Sequence, residues 1–149
     1  VTHGGHVARS FHVERAFGRL VEGLALVVPT HFSPRYDIDF ATGIFSRPGH
    51  PLEGQSLAGR VFFSPRVQGG VAGGWVFYEL ASRGMGPLAV VFGATNPVMV
   101  QGLVFADIPV VAGLEPAAFT TIRSGDLVRV DPEKRRVELL VPSADQKGG

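Results

Sequence analysis

The chain has 149 residues, a length that one hydrophobic core can serve, with 45% hydrophobic and 18% charged residues. Its 14 Lys and Arg nearly balance 13 Asp and Glu, leaving a net charge of +1, so no broad positive field favours a nucleic acid. It has no cysteine, which excludes disulfides, thiolate nucleophiles and any iron–sulfur cluster or Cys-ligated zinc held by this chain alone.

Residues 1–17 read as an N-terminal arm, or over their first sixteen positions as a short weak helix, because His3, His6 and His12 fall in no clear period. The pair in "HGGH" offers too few ligands, on too loose a segment, for a metal site. "GRLVEGLALVV" (18–28) predicts a strand with Leu20, Leu24, Leu26 and Val28 on one side and a bend at Gly23. A loop with Pro29 and Pro34 follows. "YDIDFATGIFS" (36–46) predicts a strand or hairpin turned around Thr42-Gly43. There Asp37 and Asp39 would share one strand face; such a pair can serve as acid and base, although exposed strands carry the same pattern. "RPGHPLEGQS" (47–56) has too much Pro and Gly for regular structure and must cross the surface or line a cleft.

"RVFFSP" (60–65) is apolar on both faces, as a central strand is. "WVFYELASRG" (75–84) predicts a largely buried helix that stops at Gly84. "PLAVVFGA" (87–94) is the clearest buried strand, and "TNPVMVQGLVFAD" (95–107) opens like a helix, with Asn96 as N-cap and Pro97 at the first helical position. "IPVVAGL" (108–114) predicts a strand and "EPAAFTTIRSG" a helical turn. "DLVRVDPEKRRVELL" (126–140) predicts a hairpin turning at Asp131-Pro132, with its "KRR" run as a solvated tip. One folded domain over 18–141 and a disordered tail over 142–149 follow. The strand–helix–strand–helix–strand middle implies an α/β fold: parallel central strands with right-handed crossover helices, and antiparallel strands added from both ends. The apolar runs are too short to span a bilayer, and the N-terminus lacks a signal-like core, so a cytoplasmic chain is the expectation.

"SPRVQGGVAGGW" (64–75) poses the functional question. A strand, a glycine turn and a helix can hold a phosphate or carboxylate by backbone N–H groups alone, and Gly69, Gly70, Gly73 and Gly74 would let a ligand come close. The spacing is neither a P-loop nor a dinucleotide fingerprint, so anion site and structural turn both stand. His50, on the 47–56 loop, could donate to an anion or bond a loop carbonyl.

"DFATG", "HPLEGQSLAGRVFFSP", the glycine loop, "GPLAVVF", "NPVMVQG", "IPVV" and "IRSGDLVRVD" together resemble the small, swivelling domain of aconitase X. The resemblance runs from about Gly18 to Asp131 and is most specific over His50-Pro51-Leu52, Gly54 and Ser56-Leu57-Ala58-Gly59-Arg60. It implies a swivelling β/β/α domain that acts as the small subunit of a hydro-lyase and dehydrates a hydroxy acid. It also implies a large aconitase X-type partner carrying the iron–sulfur cluster or metal ion, with no cofactor in this chain. Substrate contacts would fall to Gln68, Gly69, Gly70, Val71, Ala72 and Gly73, with His50 and Arg66 at the cleft. The family's serine-rich catalytic positions correspond to Gly70, Val71 and Ala72, none with a side chain that takes a proton. Either the partner supplies the base, or the chain is a non-catalytic binding or assembly module that keeps the fold.

Overall fold

The computed structural model describes residues 5–29, 31–67, 71–95 and 97–142. Its layers are laid out by β5 (Val61–Val67), whose apolar residues serve two cores in alternation: Phe62 faces one, Val61 and Phe63 the other. β5 pairs in parallel with β3 (Val21–Val27) and β6 (Ala89–Ala94), and β6 with β7 (Val110–Ala112). β2 (Arg15–Phe17) closes that edge antiparallel to β7, and the short β4 (His31–Phe32) lies parallel to the end of β5. On the other side of β3, β8 (Leu127–Asp131), β9 (Arg136–Pro142) and β1 (Gly5–His12) continue as an antiparallel layer.

The first core lies between the parallel strands and the helices α2 (Val71–Ser82) and α3 (Pro97–Phe105), with Phe62, Phe92, Phe77, Leu80, Met99 and Leu103 fully buried. The second lies between the parallel strands and the antiparallel layer, where Phe11, Val128, Val130 and Val137 meet Phe63 and Val91. α4 (Pro116–Thr121) contributes Ala118 to it. Helices, parallel strands and antiparallel strands thus stack in the order β/β/α, as expected.

Several local expectations are corrected. The segment expected as an arm or weak helix holds β1 and β2, because Phe11 and Val13 are buried alternately with exposed Ser10 and His12, a period of two. Gly23 is not a bend: it pairs with Val128 inside β3. The one-sided burial expected of Leu20, Leu24, Leu26 and Val28 also fails. Leu20 and Leu24 are half-exposed while consecutive Ala25 and Leu26 are buried, because β3 changes sheets between Leu24 and Ala25. Arg60 holds that seam, Nη2 donating to the Ala25 carbonyl at 2.6 Å and Nε to that of Leu24 at 3.4 Å.

In place of a strand through 36–40, α1 (Pro34–Asp37) is one helical turn, and only the isolated bridges Ile38–Phe45 and Ile44–Ser56 remain around the Thr42-Gly43 turn. Asp37 and Asp39 therefore share no strand face. Asp37 is buried, whereas Asp39 is exposed and accepts the Ala41 N–H. α2 starts at Val71, four residues before the expected 75, and Trp75 and Tyr78 are exposed on it. The N-cap expected at Asn96 and the tail over 143–149 lie outside the described residues.

Candidate functional site

The parallel strands β3, β5, β6 and β7 all end on the same side of the molecule, the side on which open α/β sheets form their crevices. α2 and α3 begin there, immediately after β5 and β6. Their crossing is set by glycine. A Cβ on Gly102 would lie 2.6 Å from the Gly74 Cα, so the two backbones are in direct contact and the first turn of α2 is held against α3. Val71, Ala72 and Gly73 form that turn, whose N–H groups have no partner within the helix. Gln68, Gly69 and Gly70 lie outside the described residues.

Two clefts flank the β4–β5 pair at this edge. The first, about 280 Å³, is lined by Val28, His31, Asp37, Arg47 and His50. At its base the Asp37 carboxylate, 1% exposed, accepts the Ser33 N–H on Oδ2 at 2.9 Å and Arg47 Nη1 on Oδ1 at 3.1 Å. His50 Nε2 stands 3.7 Å from Asp37 Oδ2, while its Nδ1 accepts the Leu52 N–H at 3.0 Å. An Nδ1 that accepts places the proton of the neutral ring on Nε2, facing Asp37. The ring also stacks on Phe45 at 4.8 Å between centroids, and Phe45 belongs to the buried Phe32–Phe62–Phe77 cluster. His50 Nδ1 is thus engaged within the chain, while Nε2 faces Asp37 beyond hydrogen-bond distance. The cation presented to the cleft is Arg47, whose side chain is half-exposed.

The second cleft, about 760 Å³, is bordered by His12, Glu14, Arg66, Glu115 and Phe119. Arg66 is Cα partner to His31 in β4 and to Ala94 in β6, and the buried Ser64 hydroxyl donates to its carbonyl oxygen. Its guanidinium is exposed and makes no ion pair among the described residues. The structure therefore brings His50 together with Arg47 and Asp37, and places Arg66 in a neighbouring cleft across the β4–β5 pair. Sequence reasoning missed Arg47 and the buried role of Asp37. The one available signal was an Arg ten residues after an Asp, on either side of a turn.

The motif that carried the resemblance is stitched largely by its own backbone. Gly54 N–H donates to the Phe45 carbonyl, Phe45 N–H to that of Gln55, Leu57 N–H to that of Gly43, and Gly59 N–H to that of Gly86. Gly54 and Gly59 sit at φ +87° and +70°, the left-handed region that side chains disfavour. "HPLEGQSLAGR" is thus a scaffold: its histidine fixes a loop and its arginine fixes the seam between the sheets.

Among the described residues no helix is long and apolar enough to cross a membrane. A family model described as the aconitase X swivel domain matches residues 10–139. The chain is 34% identical to the phosphomevalonate dehydratase small subunit of Methanothrix thermoacetophila over 89% of this chain and 95% of the relative. It is 30% identical to the protein of the same name in Methanosarcina acetivorans, over 84% and 87% respectively. Among solved structures, Thermococcus kodakaraensis aconitase X in its holo-form superposes with a TM-score of 0.83 at 28% identity, covering 90% of this chain and all of that one. The layer order, the fixed "HPLEGQSLAGR" loop and these near-full-length matches agree: the chain belongs to the aconitase X swivel domain family.

Proposed function

We propose that the chain is the small subunit of an aconitase X-like hydro-lyase that dehydrates a hydroxy acid, closing the active site over a large partner subunit. The observation that carries this reading is the near-full-length correspondence with proteins named as small subunits of a dehydratase. Their name points to a phosphorylated hydroxy acid as the substrate class. The strand-end geometry supports it, since an anionic end would find Arg66, Arg47 and the N–H groups of the first α2 turn on one edge.

The donor set of this chain does not fit a resident cluster or metal. It has no cysteine, and among the described residues no three His, Asp or Glu side chains could hold an ion together. The partner would hold the metal or iron–sulfur centre, which supplies the Lewis acid that helps hydroxide leave. This chain would orient the substrate and exclude water. With glycine at 70, valine at 71 and alanine at 72, the base that removes the α-proton comes from the partner. The same absence of hydroxyls favours the second reading, a member that assembles with the partner and binds ligand without catalysing.

Reconstitution with the large aconitase X-type subunit from the same source separates the two. The first reading expects a complex that dehydrates a phosphorylated hydroxy acid, and Arg66→Ala should raise KM about tenfold by removing a charge-assisted hydrogen bond. An unchanged KM removes Arg66 from the site. An inactive complex that gains activity on Gly70→Ser supports the second reading, and failure to form any complex defeats both.

A further inference from the structure

The helical layer presents a face that the fold itself leaves uncovered. α3 has no charged residue along its 9 positions, and α2 has only Glu79 among its 12. At the Gly74–Gly102 crossing, Trp75 (59% exposed), Tyr78, Val98 and Phe105 (70% exposed) border a groove of about 260 Å³. A second groove, about 370 Å³, lies across α3 toward β2 and is bordered by Phe17 (50% exposed), Val104 and Arg15. Large apolar side chains grouped side by side on an outer face, with few charges among them, mark an interaction surface.

One polar group at the second groove also lacks what a partner would provide. Arg15 makes no ion pair or hydrogen bond through its side chain among the described residues. We infer that the face running from Trp75 across α3 to Phe17 docks the large subunit, which lays an apolar ridge along α3 and meets Arg15 with a carboxylate.

This assignment rests on the proposed function, since the occupant is the partner that the relatives' small-subunit names imply. Position supports the same occupant. Gly74 and Trp75 lie near the start of α2, and Val98 lies in the first turn of α3, so a subunit covering the substrate edge continues directly onto this face. A second copy of the chain fits less well. The two helices of the face carry Glu79 as their one acidic residue, so a second copy presenting the same helices offers little to meet Arg15.

The test measures affinity between the chain and its large subunit for wild type, for Trp75→Ser with Phe105→Ser, and for Arg15→Glu. Loss of central aromatic anchors should weaken binding at least about thirtyfold, and Arg15→Glu about tenfold. These residues are exposed, so each isolated variant should melt with the wild-type chain, and a variant that does not is replaced by the milder Phe105→Ala. Independently, Trp75 is the sole tryptophan, so fluorotryptophan-labelled chain gives one fluorine resonance that should shift when unlabelled large subunit is added. A resonance that stays put in the formed complex, or variant affinities within about threefold of wild type, overturns the assignment while leaving the proposed function standing. Self-association of the chain that Phe105→Ser abolishes also overturns it, making the face a homodimer interface. A wild-type chain that does not bind the large subunit sinks the parent reading and this one together.

Discussion

Asp37 shows how much depends on one carboxylate at the strand-end edge. It ends α1, accepts the backbone N–H of Ser33, and holds both Arg47 and the His50 ring in place. Asp37→Asn keeps the shape but removes the charge that balances Arg47, and should lower unfolding free energy by about 1–3 kcal/mol in a urea titration. An unchanged midpoint would show that Phe45 stacking and the loop's backbone hydrogen bonds hold the 47–56 loop without the Asp37 charge. Sequence alone could place His50 on an ordered loop, and the structure keeps it there. The sequence could not show that the facing carboxylate is Asp37, because the Ser33-Pro34 start of a four-residue helix leaves too little periodicity to tell from a strand. Nor could it show that the motif arginine, Arg60, serves the backbone of β3 rather than a ligand. That role exists only because β3 changes partners beside it.

Among elements, the crossing of α2 and α3 has the tightest tolerance. Gly102→Ala would drive a Cβ to 2.6 Å from the Gly74 Cα, and backbone cannot move aside as a flexible side chain can. The helices must separate, which overpacking data put at about 1–3 kcal/mol. The displaced helix end is the first turn of α2, so reconstituted enzyme carrying this change should also lose substrate affinity. A stability loss with intact affinity would detach α2 from the binding edge. β5 and β6 were legible as short continuous apolar runs, α3 from Pro97 at its first position, and the β8–β9 hairpin from the Asp131-Pro132 turn that closes it. β1 was not, since Arg9 falls on the same face as Phe11, over whose ring it lies, and a register shift between Val7 and Arg9 breaks the alternation.

Across the whole molecule that difference becomes measurable. Treated as an arm, residues 1–17 would be dispensable; in the structure, β1 covers the β9 edge and Phe11 and Val13 are fully buried. Burying Phe11 alone is worth about 2–3 kcal/mol. Deleting residues 1–17 should therefore lower the guanidinium midpoint sharply or abolish cooperative unfolding, and a truncated chain with wild-type stability would return the segment to the status of an arm. The antiparallel layer has its own tie: Arg129, on β8, donates to Glu22 on β3 at 2.7 Å and to Glu138 on β9 at 3.1 Å. Its pKa is raised above the ordinary guanidinium value, first by the hydrogen bond to Glu22, with burial opposing. A raised pKa stabilises at every pH below the unfolded value, so the Arg129 charge is not lost anywhere in the range where proteins are handled.

Leu24 is Cα partner to Leu127 in the antiparallel layer and Ala25, the next residue, to Val61 in the parallel one. One strand is thus common property of both layers, and solvent cannot open one while the other stays shut. Native-state hydrogen exchange should then find the amides of β8 and of β6 rising to a single opening free energy as denaturant is added, instead of two. A chain built this way turns as one solid body, so in the proposed complex the compliance needed to close over a substrate would reside in its contact with the partner.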